Sequence, residues 1–324
     1  RDPKKSRGVL CQAVTVKYAW IEAQRPRLPV GRLCALLEVS RSGFYAWRNR
    51  APCRRSRTDA CLAVELRARF ARHRGKYGRP RLTADLRAAG FPVNPKRVRR
   101  LMLREGLRAR RPRRFVRTTD SRHDLATAPN VLDRHFEAQA PNRVWLADIT
   151  YVGTDEGWLY VALVLDLFSR RLVGWAMSAT IDGQLTAEAL ALALGLRRPG
   201  TGLMHHSDRG VQYCAHAYRD RLAQHGIMVS MSRRANCYDN APMESANGTV
   251  KVERVHDQHY ATRQEAIDDL TEYIGYYNSE RRHSALGYLC PVEYERRWAA
   301  SRSKPPPGAA SYPPPRAVPA YEAP

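Results

Sequence analysis

Three acidic side chains stand in segments whose composition could bring them together. Asp148 lies in Val144-Trp145-Leu146-Ala147-Asp148-Ile149-Thr150-Tyr151, Asp208 in His205-His206-Ser207-Asp208-Arg209-Gly210-Val211-Gln212-Tyr213, and Glu244 in Asp239-Asn240-Ala241-Pro242-Met243-Glu244-Ser245. Carboxylate oxygens are the hard ligands that Mg²⁺ prefers, and two ions roughly 4 Å apart can clamp the attacking and leaving oxygens of a phosphoryl displacement. Asp208 and Glu244 are separated by 35 residues. Lys251 follows Glu244 by seven residues, two helical turns, so it shares a face with the acid and could hold a phosphate. Ser207 has no adjacent general base, which argues against serine-nucleophile chemistry.

These acids need a sheet and a helix to carry them. Val144–Val152 and Trp158–Asp166 are apolar runs rich in β-branched and aromatic residues, separated by turn chemistry at Thr154-Asp155-Glu156-Gly157. With Arg171–Ser178 they predict a three-stranded antiparallel meander. A helix over Thr186–Leu196, a strand over Gly202–His206, a helix over Tyr213–His225, a strand over Ile227–Ser230 and a helix from Asn240 follow. Three strands and then helix-strand-helix-strand-helix is the element order of an α/β, ribonuclease-H-like fold, a mixed five-stranded sheet with flanking helices. Asp148 then sits on the first strand, Asp208 ends the fourth, and Glu244 rides the helix after the fifth. Asp239 and Asn240 are expected to cap that helix. Trp145 is expected in the core, while Gln212 and Tyr213 either position the phosphate-bearing substrate or, for Tyr213, pack inside.

The first 130 residues read differently. They carry 34 Lys+Arg against 9 Asp+Glu, a balance of +25, whereas residues 131–324 carry 21 against 22. The whole excess of the formal net charge of +24 is therefore N-terminal. Such a block favours a polyanion, because each neutralised phosphate releases condensed counterions. The spread of charge over several amphipathic helices fits a membrane surface less well. Leu33, Leu36 and Leu37 have helical spacing, and Ser40 reads as the N-cap of a second short helix bearing Arg41, Phe44, Tyr45 and Trp47, a helix-turn-helix pattern. After a longer helix over Thr58–His73 the pattern recurs. Arg81–Ala89 is followed by a turn at Gly90-Phe91-Pro92-Val93, then by a helix that Asn94 caps, Pro95 starts and Gly106 closes. Lys96, Arg97, Arg99, Arg100 and Arg104 decorate that helix and suit phosphate or base contacts. The arginine-rich stretch after it reads as an extended linker.

The 44% apolar content suits a globular chain of 324 residues with more than one domain, and no apolar run has the length of a bilayer span. Seven scattered cysteines without C-x-x-C spacing read as reduced thiols in a cytoplasmic protein, and neither they nor the ten histidines have zinc-site spacing. The last 24 residues hold eight prolines and are expected to be disordered. The expected division is a leader over 1–24, a first helix-turn-helix over 25–50, a helical region with the second over 51–110, a basic linker over 111–135, the catalytic core over 136–260, a helical extension over 261–299 and the tail over 300–324.

From about Lys17 to Trp298 the sequence resembles the catalytic (OrfB-type) product of insertion-sequence transposases of the IS-three family, in the retroviral-integrase superfamily. The resemblance is carried by Val39-Ser40-Arg41-Ser42-Gly43-Phe44-Tyr45-Ala46-Trp47, by Trp145-Leu146-Ala147-Asp148-Ile149-Thr150-Tyr151 and by His206-Ser207-Asp208-Arg209-Gly210-Val211-Gln212-Tyr213. It continues in Asn236-Cys237-Tyr238-Asp239-Asn240-Ala241-Pro242-Met243-Glu244-Ser245 and in Tyr277-Asn278-Ser279-Glu280-Arg281-Arg282-His283-Ser284-Ala285-Leu286-Gly287-Tyr288. One departure is visible. The family usually places aromatic residues between Glu244-Ser245 and Gly248, where this chain has Ala246 and Asn247, and weaker packing of the helix is the expected consequence.

The resemblance implies that Asp148, Asp208 and Glu244 are the D,D-35-E ligands of two Mg²⁺ ions, with Mn²⁺ as a substitute. It implies 3′-end cleavage at the terminal repeats and strand transfer into target DNA, with Lys251, Arg41, Lys96, Arg97, Arg99 and Arg100 as DNA contacts. It further implies a homo-oligomer on double-stranded DNA in the bacterial cytoplasm, at the nucleoid, and an upstream-frame protein as a partner, with residues 1–16 as read-through from that frame. Two rivals belong to other classes: a catalytically weakened, transposase-derived DNA-binding protein, and a ribonuclease-H-like nuclease without strand transfer.

Overall fold

The computed structural model describes residues 12–109, 127–234 and 236–303. The start of the leader, most of the basic linker and the Pro-rich tail from 304 lie outside the described residues. The chain divides into two compact units, Arg1–Ala68 and Arg69–Pro324.

In the first unit α1 (Val14–Gln24), α2 (Val30–Leu36) and α3 (Arg41–Asn49) enclose Tyr18, Ile21, Leu33, Leu37 and Phe44. The expected cap is present: the backbone N–H of Gly43 donates to Ser40 Oγ at 3.2 Å. Tyr18 meets Phe44 edge-on with ring centroids 6.0 Å apart, so aromatic contacts as well as area burial hold the small core. Arg41 is exposed at the start of α3. A long helix, α4 (Arg54–Arg72), follows.

The second unit begins with the helical pair α5 (Arg79–Ala88) and α6 (Pro95–Arg104). Asn94 caps α6 by accepting the N–H of Arg97 at 2.8 Å, and Val98, Leu101 and Met102 turn inward while Lys96, Arg99 and Arg100 face solvent. Residues 127–135, the end of the stretch read as an extended linker, are packed. Ala128 and Leu132 are buried, and the N–H groups of Val131 and Leu132 donate to Ser230 Oγ.

The sheet comprises β1 (Val144–Thr154), β2 (Gly157–Asp166), β3 (Leu172–Ser178), β4 (Met204–Ser207) and β5 (Met228–Met231), in the order β3-β2-β1-β4-β5. The first three form the expected antiparallel meander, and β4 and β5 join parallel to β1. One face carries Trp145, Ala147, Val164 and Val173 against α7 (Gly183–Arg197), α8 (Val211–Cys214) and α9 (His216–Gln224). The other carries Leu146, Val152, Leu163 and Leu165 against α10 (Ala241–Glu253) and α11 (Arg263–Ser279). Alternate residues of β1 thus serve opposite faces, as a pleated strand buried on both sides requires. At Gly174 a β-carbon would stand 2.2 Å from the carbonyl oxygen of Ala189, so only glycine lets β3 and α7 approach this closely.

Two expectations need correction. The helix expected over Tyr213–His225 is broken at Ala215, whose ψ of 137° is extended. A straight helix would set residues five apart at about 140° around its axis. The break lets Tyr213 and Tyr218 enter one core with ring centroids 5.5 Å apart. Residues 300–303, expected in the tail, belong instead to α12 (Pro291–Ser303).

Candidate active site

The register of the parallel strands accounts for the first two acids. Val144–Ala147 pair with Met204–Ser207, and the ladder ends there. Asp148 and Asp208 are the next residue on each strand. Adjacent strands lie about 4.8 Å apart, so the two carboxylates start as neighbours where the β1–β4 ladder ends.

The third acid comes from α10. Its inward stripe is Met243, Ala246 and Val250, buried against the sheet. One residue further round, at the same spacing, run Glu244, Asn247 and Lys251, which brings the acid, an amide and a cation to the edge of β1. Glu244 is exposed, Asn247 buried and Lys251 half-buried. Asn247 Nδ2 donates to Asp148 Oδ2 at 2.8 Å, and the N–H of Ile149 donates to Asp148 Oδ1 at 2.9 Å. Four residues before Glu244, Asn240 Nδ2 donates to the carbonyl of Ala147 at 3.2 Å. Two amides therefore fasten α10 to consecutive residues of β1 on either side of Glu244. Asp208 is held by the N–H of Gly210, which donates to Oδ1 at 2.9 Å.

The electrostatics follow from this crowding. Burial raises Asp148 well above the ordinary carboxylate range, and the charges of Asp208 and Glu244 push it further. Lys251 is lowered by burial, with Asp148 acting against that shift, and its Nζ stands 4.4 Å from the centroid of the Tyr151 ring. Among the described residues no three His, Cys, Asp or Glu side chains close into a metal cage. The acids are near enough to repel without being gathered around a point. The donor set is nevertheless all oxygen, and Asn240 Oδ1 and Asn247 Oδ1 are buried without a hydrogen-bond partner beside it. A hard cation fits that chemistry, since it would offset the repulsion.

Several expected roles change. Asp239 and Asn240 do not cap α10 with their side chains. Asp239 is fully buried and accepts from Arg233 Nη2 and Arg134 Nε at 2.8 Å and from Asn130 Nδ2 at 3.1 Å. The arginines, Arg233 foremost, hold its carboxyl far below the usual range. Asp239 thus ties residues 130–134 and the preceding loop to the start of α10, while Asn240 reaches sideways to β1. The Ala246-Asn247 departure does not loosen the helix. Ala246 fills the core and Asn247 bonds Asp148, a role no apolar aromatic could take. The sequence signal for it was available in the seven-residue stripe, which predicts an i+3 neighbour of Glu244 at the same edge.

Tyr213 is core, 2% exposed, with burial, Tyr218 and the charges of Asp148 and Asp208 raising its phenol. Gln212 is half-buried, its Nε2 3.4 Å from the carbonyl of Ile181. Trp145 is fully buried, as expected. Burial lowers His205 to about 3 and His206 to about 4, so both stay neutral, with His206 between the hydroxyls of Ser230 and Ser232. Lys96, Arg97, Arg99 and Arg100 lie together on α6, whereas Arg41 lies in the first unit.

Family models described as integrase core domain match residues 138–237 and 225–291, and one described as HTH-like domain matches residues 56–115. The chain is 44% identical over 267 residues to the insertion element IS600 uncharacterized 31 kDa protein of Shigella sonnei, covering 82% of this chain and 98% of that one. It is 41% identical over 286 residues to transposase InsF for insertion sequence IS3A of Escherichia coli, covering 87% and 99%. Among solved structures, the HTLV-2 integrase catalytic core domain in complex with magnesium aligns with a TM-score of 0.40 at 14% identity, over 49% of this chain and 99% of that one. Matched along almost the whole length of InsF and carrying both the integrase core and the HTH-like region, the chain belongs to the IS3 family of insertion-sequence DNA transposases.

Proposed function

We propose that this transposase binds the terminal repeats of an insertion sequence, nicks each end to free a 3′-hydroxyl, and joins that hydroxyl to a target strand. The observation that carries the reading is the junction at the end of the β1–β4 ladder, where Asp148 and Asp208 adjoin and Asn247 bonds α10 to Asp148. Asp148, Asp208 and Glu244 would hold two Mg²⁺ ions, or Mn²⁺ in their place. When bound, such ions polarise the phosphoryl oxygens and stabilise charge on the entering and leaving oxygens.

The chain's own groups do the rest. In the first step the oxygen of water bonds to phosphorus and the element's 3′-oxygen leaves as a hydroxyl. In the second the oxygen of that hydroxyl forms the new bond to a target phosphorus, its proton is released, and the target's 3′-oxygen leaves and is protonated to a hydroxyl. Neither step needs a covalent enzyme intermediate. Asn247 and the N–H of Ile149 hold the Asp148 carboxylate in one orientation. Lys251 offers a cation to a phosphate beside the acids. Lys96, Arg97, Arg99, Arg100 and Arg41 supply sequence-independent affinity in the two helical hairpins, over 25–50 and 51–110, ahead of the core at 136–260. Joining two ends calls for at least a dimer on the DNA, working in the bacterial cytoplasm.

The test is strand transfer of a labelled element end with Mg²⁺, comparing wild type with Glu244→Gln. The variant should bind the end and lose about 10²- to 10³-fold in product, the scale of losing a charge-stabilising group in the transition state. Unchanged product would remove Glu244 from the site. Nicked ends without joined product from the wild type would favour a nuclease.

A further inference from the structure

Trp158 is 53% exposed, yet its position is fixed. It follows Gly157, whose φ of 106° shapes the two-residue turn between β1 and β2. That turn is braced from outside. Arg263 donates through its N–H to Glu156 Oε2 at 2.8 Å and through Nε to the carbonyl of Trp158 at 3.0 Å, and the N–H of Asp155 donates to the carbonyl of Tyr260 at 3.1 Å. One part of the indole lies over Gly153, its register partner, where a β-carbon would meet the ring at 3.5 Å. Covering a strand glycine is the ordinary use of such a ring, but it leaves more than half of this one in solvent.

The neighbours of Trp158 lead back to the acids. Its ring meets Tyr151 at 78° with centroids 4.9 Å apart, and Lys251 stands over Tyr151, within the electrostatic reach of Asp148. An open indole, a tyrosine and a cation are thus in successive contact, Trp158 on Tyr151 and Tyr151 under Lys251, and Lys251 feels the charge of Asp148. Flat aromatic surface next to a cation suits a nucleobase and its phosphate. A base inside a duplex has both faces covered by its neighbours, so a ring at a turn can receive a base only once it leaves the stack.

We propose that Trp158, supported by Tyr151, stacks one unpaired nucleobase of the DNA end being cut, while the adjoining phosphate lies at Lys251. The inference rests on the transposase reading above and adds a subsite to it. Trp158 and Tyr151 would hold the end open next to the acids, and ends that fray easily would bind best.

The test uses the full chain with EDTA, so that no cutting intervenes, and two element-end duplexes, one fully paired and one mismatched at its terminal pairs. A 2-aminopurine at the unpaired position reports stacking as quenched emission. Wild type should bind the mismatched end more tightly and quench the probe. Trp158→Leu, which still covers Gly153, should lower affinity for the mismatched end by about 5- to 100-fold and abolish quenching, the range expected for one base-aromatic stack. Trp158→Phe should retain most of both. A Trp158→Leu protein that keeps the preference and the quenching overturns the platform, as does equal weakening on both duplexes, which would mean capping of the terminal pair. Trp158→Leu turning a sedimenting dimer into a monomer overturns it too, because the ring would then face a second copy. If wild type binds neither duplex, the transposase reading fails first and the subsite with it.

Discussion

Two groups of acids flank the length of α10, and they are wired in opposite ways. At its N-terminal half, Asp148, Asp208 and Glu244 approach one another, and the charge of Asp148 acts on half-buried Lys251. At its last residue, Glu253 takes Arg281 Nε at 2.8 Å, Arg281 Nη2 at 2.7 Å and Arg81 Nη1 at 3.0 Å. Close by, Asp85 of α5 takes Arg69 Nη1 at 2.8 Å and Arg282 Nε at 3.0 Å. Burial alone would raise all of these acids. The arginines reverse it at Glu253, and His73, Arg69 and Arg282 reverse it at Asp85, whereas at Asp148 the neighbours add to it. The arginine-paired group fastens α5 and the segment after α11 to α10 and is complete as it stands. At the other, Asp208 and Glu244 add to the cost of charging Asp148, a conflict that a bound cation would ease.

That contrast can be broken at either end. Arg281→Ala should have the largest effect on stability, about 3 kcal/mol, because the buried Glu253 carboxylate keeps only Arg81 and Tyr273 as partners. Chemical denaturation of the second unit's signal would show it, and an effect within error would mean that the Glu253 group is incidental. Asn247→Ala should leave folding intact and lower strand transfer about 10- to 100-fold, the usual cost of removing a group that orients a metal ligand. An unchanged rate would reduce Asn247 to a packing residue. In metal-free protein Glu244→Gln should raise stability slightly through lost repulsion, less than about 1 kcal/mol because the exposed Glu244 charge is screened, and Mg²⁺ should stabilise wild type more than the variant. Equal stabilisation of both by Mg²⁺ would place the ion elsewhere.

The smallest effect is the difference in pH dependence. Asp148 has a raised folded-state pKa, so without metal its group loses stability as pH climbs from the ordinary carboxylate range, about 4, through the raised value. Asp85, Glu253 and Asp239 are lowered, so their stabilisation is present above that range and lost as pH falls below it. Thermal melts of metal-free Glu244→Gln and wild type should therefore converge as pH falls towards 4. A gap that widens instead would show that the carboxylates at Asp148 are not in conflict.

Much of this was legible from side-chain pattern. Alternation and turn residues define β1–β3, Ser40 and Asn94 announce their helices, and the i, i+3, i+7 stripe on α10 follows from helical period alone. The break at Ala215 was not legible, because the apolar residues on both sides fit one helix until Tyr213 and Tyr218 must enter the same core. Asp239 and Asn240 looked like caps because their types and position fit that local role. Their actual partners, Arg134, Arg233, Asn130 and the Ala147 carbonyl, come from other segments.

Sequence alone determined which residue types are present and their local order. It put one acid inside a strand, one at the end of another and one on a helix, a lysine two turns beyond the third, and a basic N-terminal block. Tertiary structure decided which of them meet. The parallel register of β1 and β4 makes Asp148 and Asp208 neighbours. The crossing of α10 over β1 turns Asn247 from a departure into the residue that holds Asp148. Periodicity is a property of one segment, whereas register and crossing depend on how two segments pack, and only the folded chain fixes that.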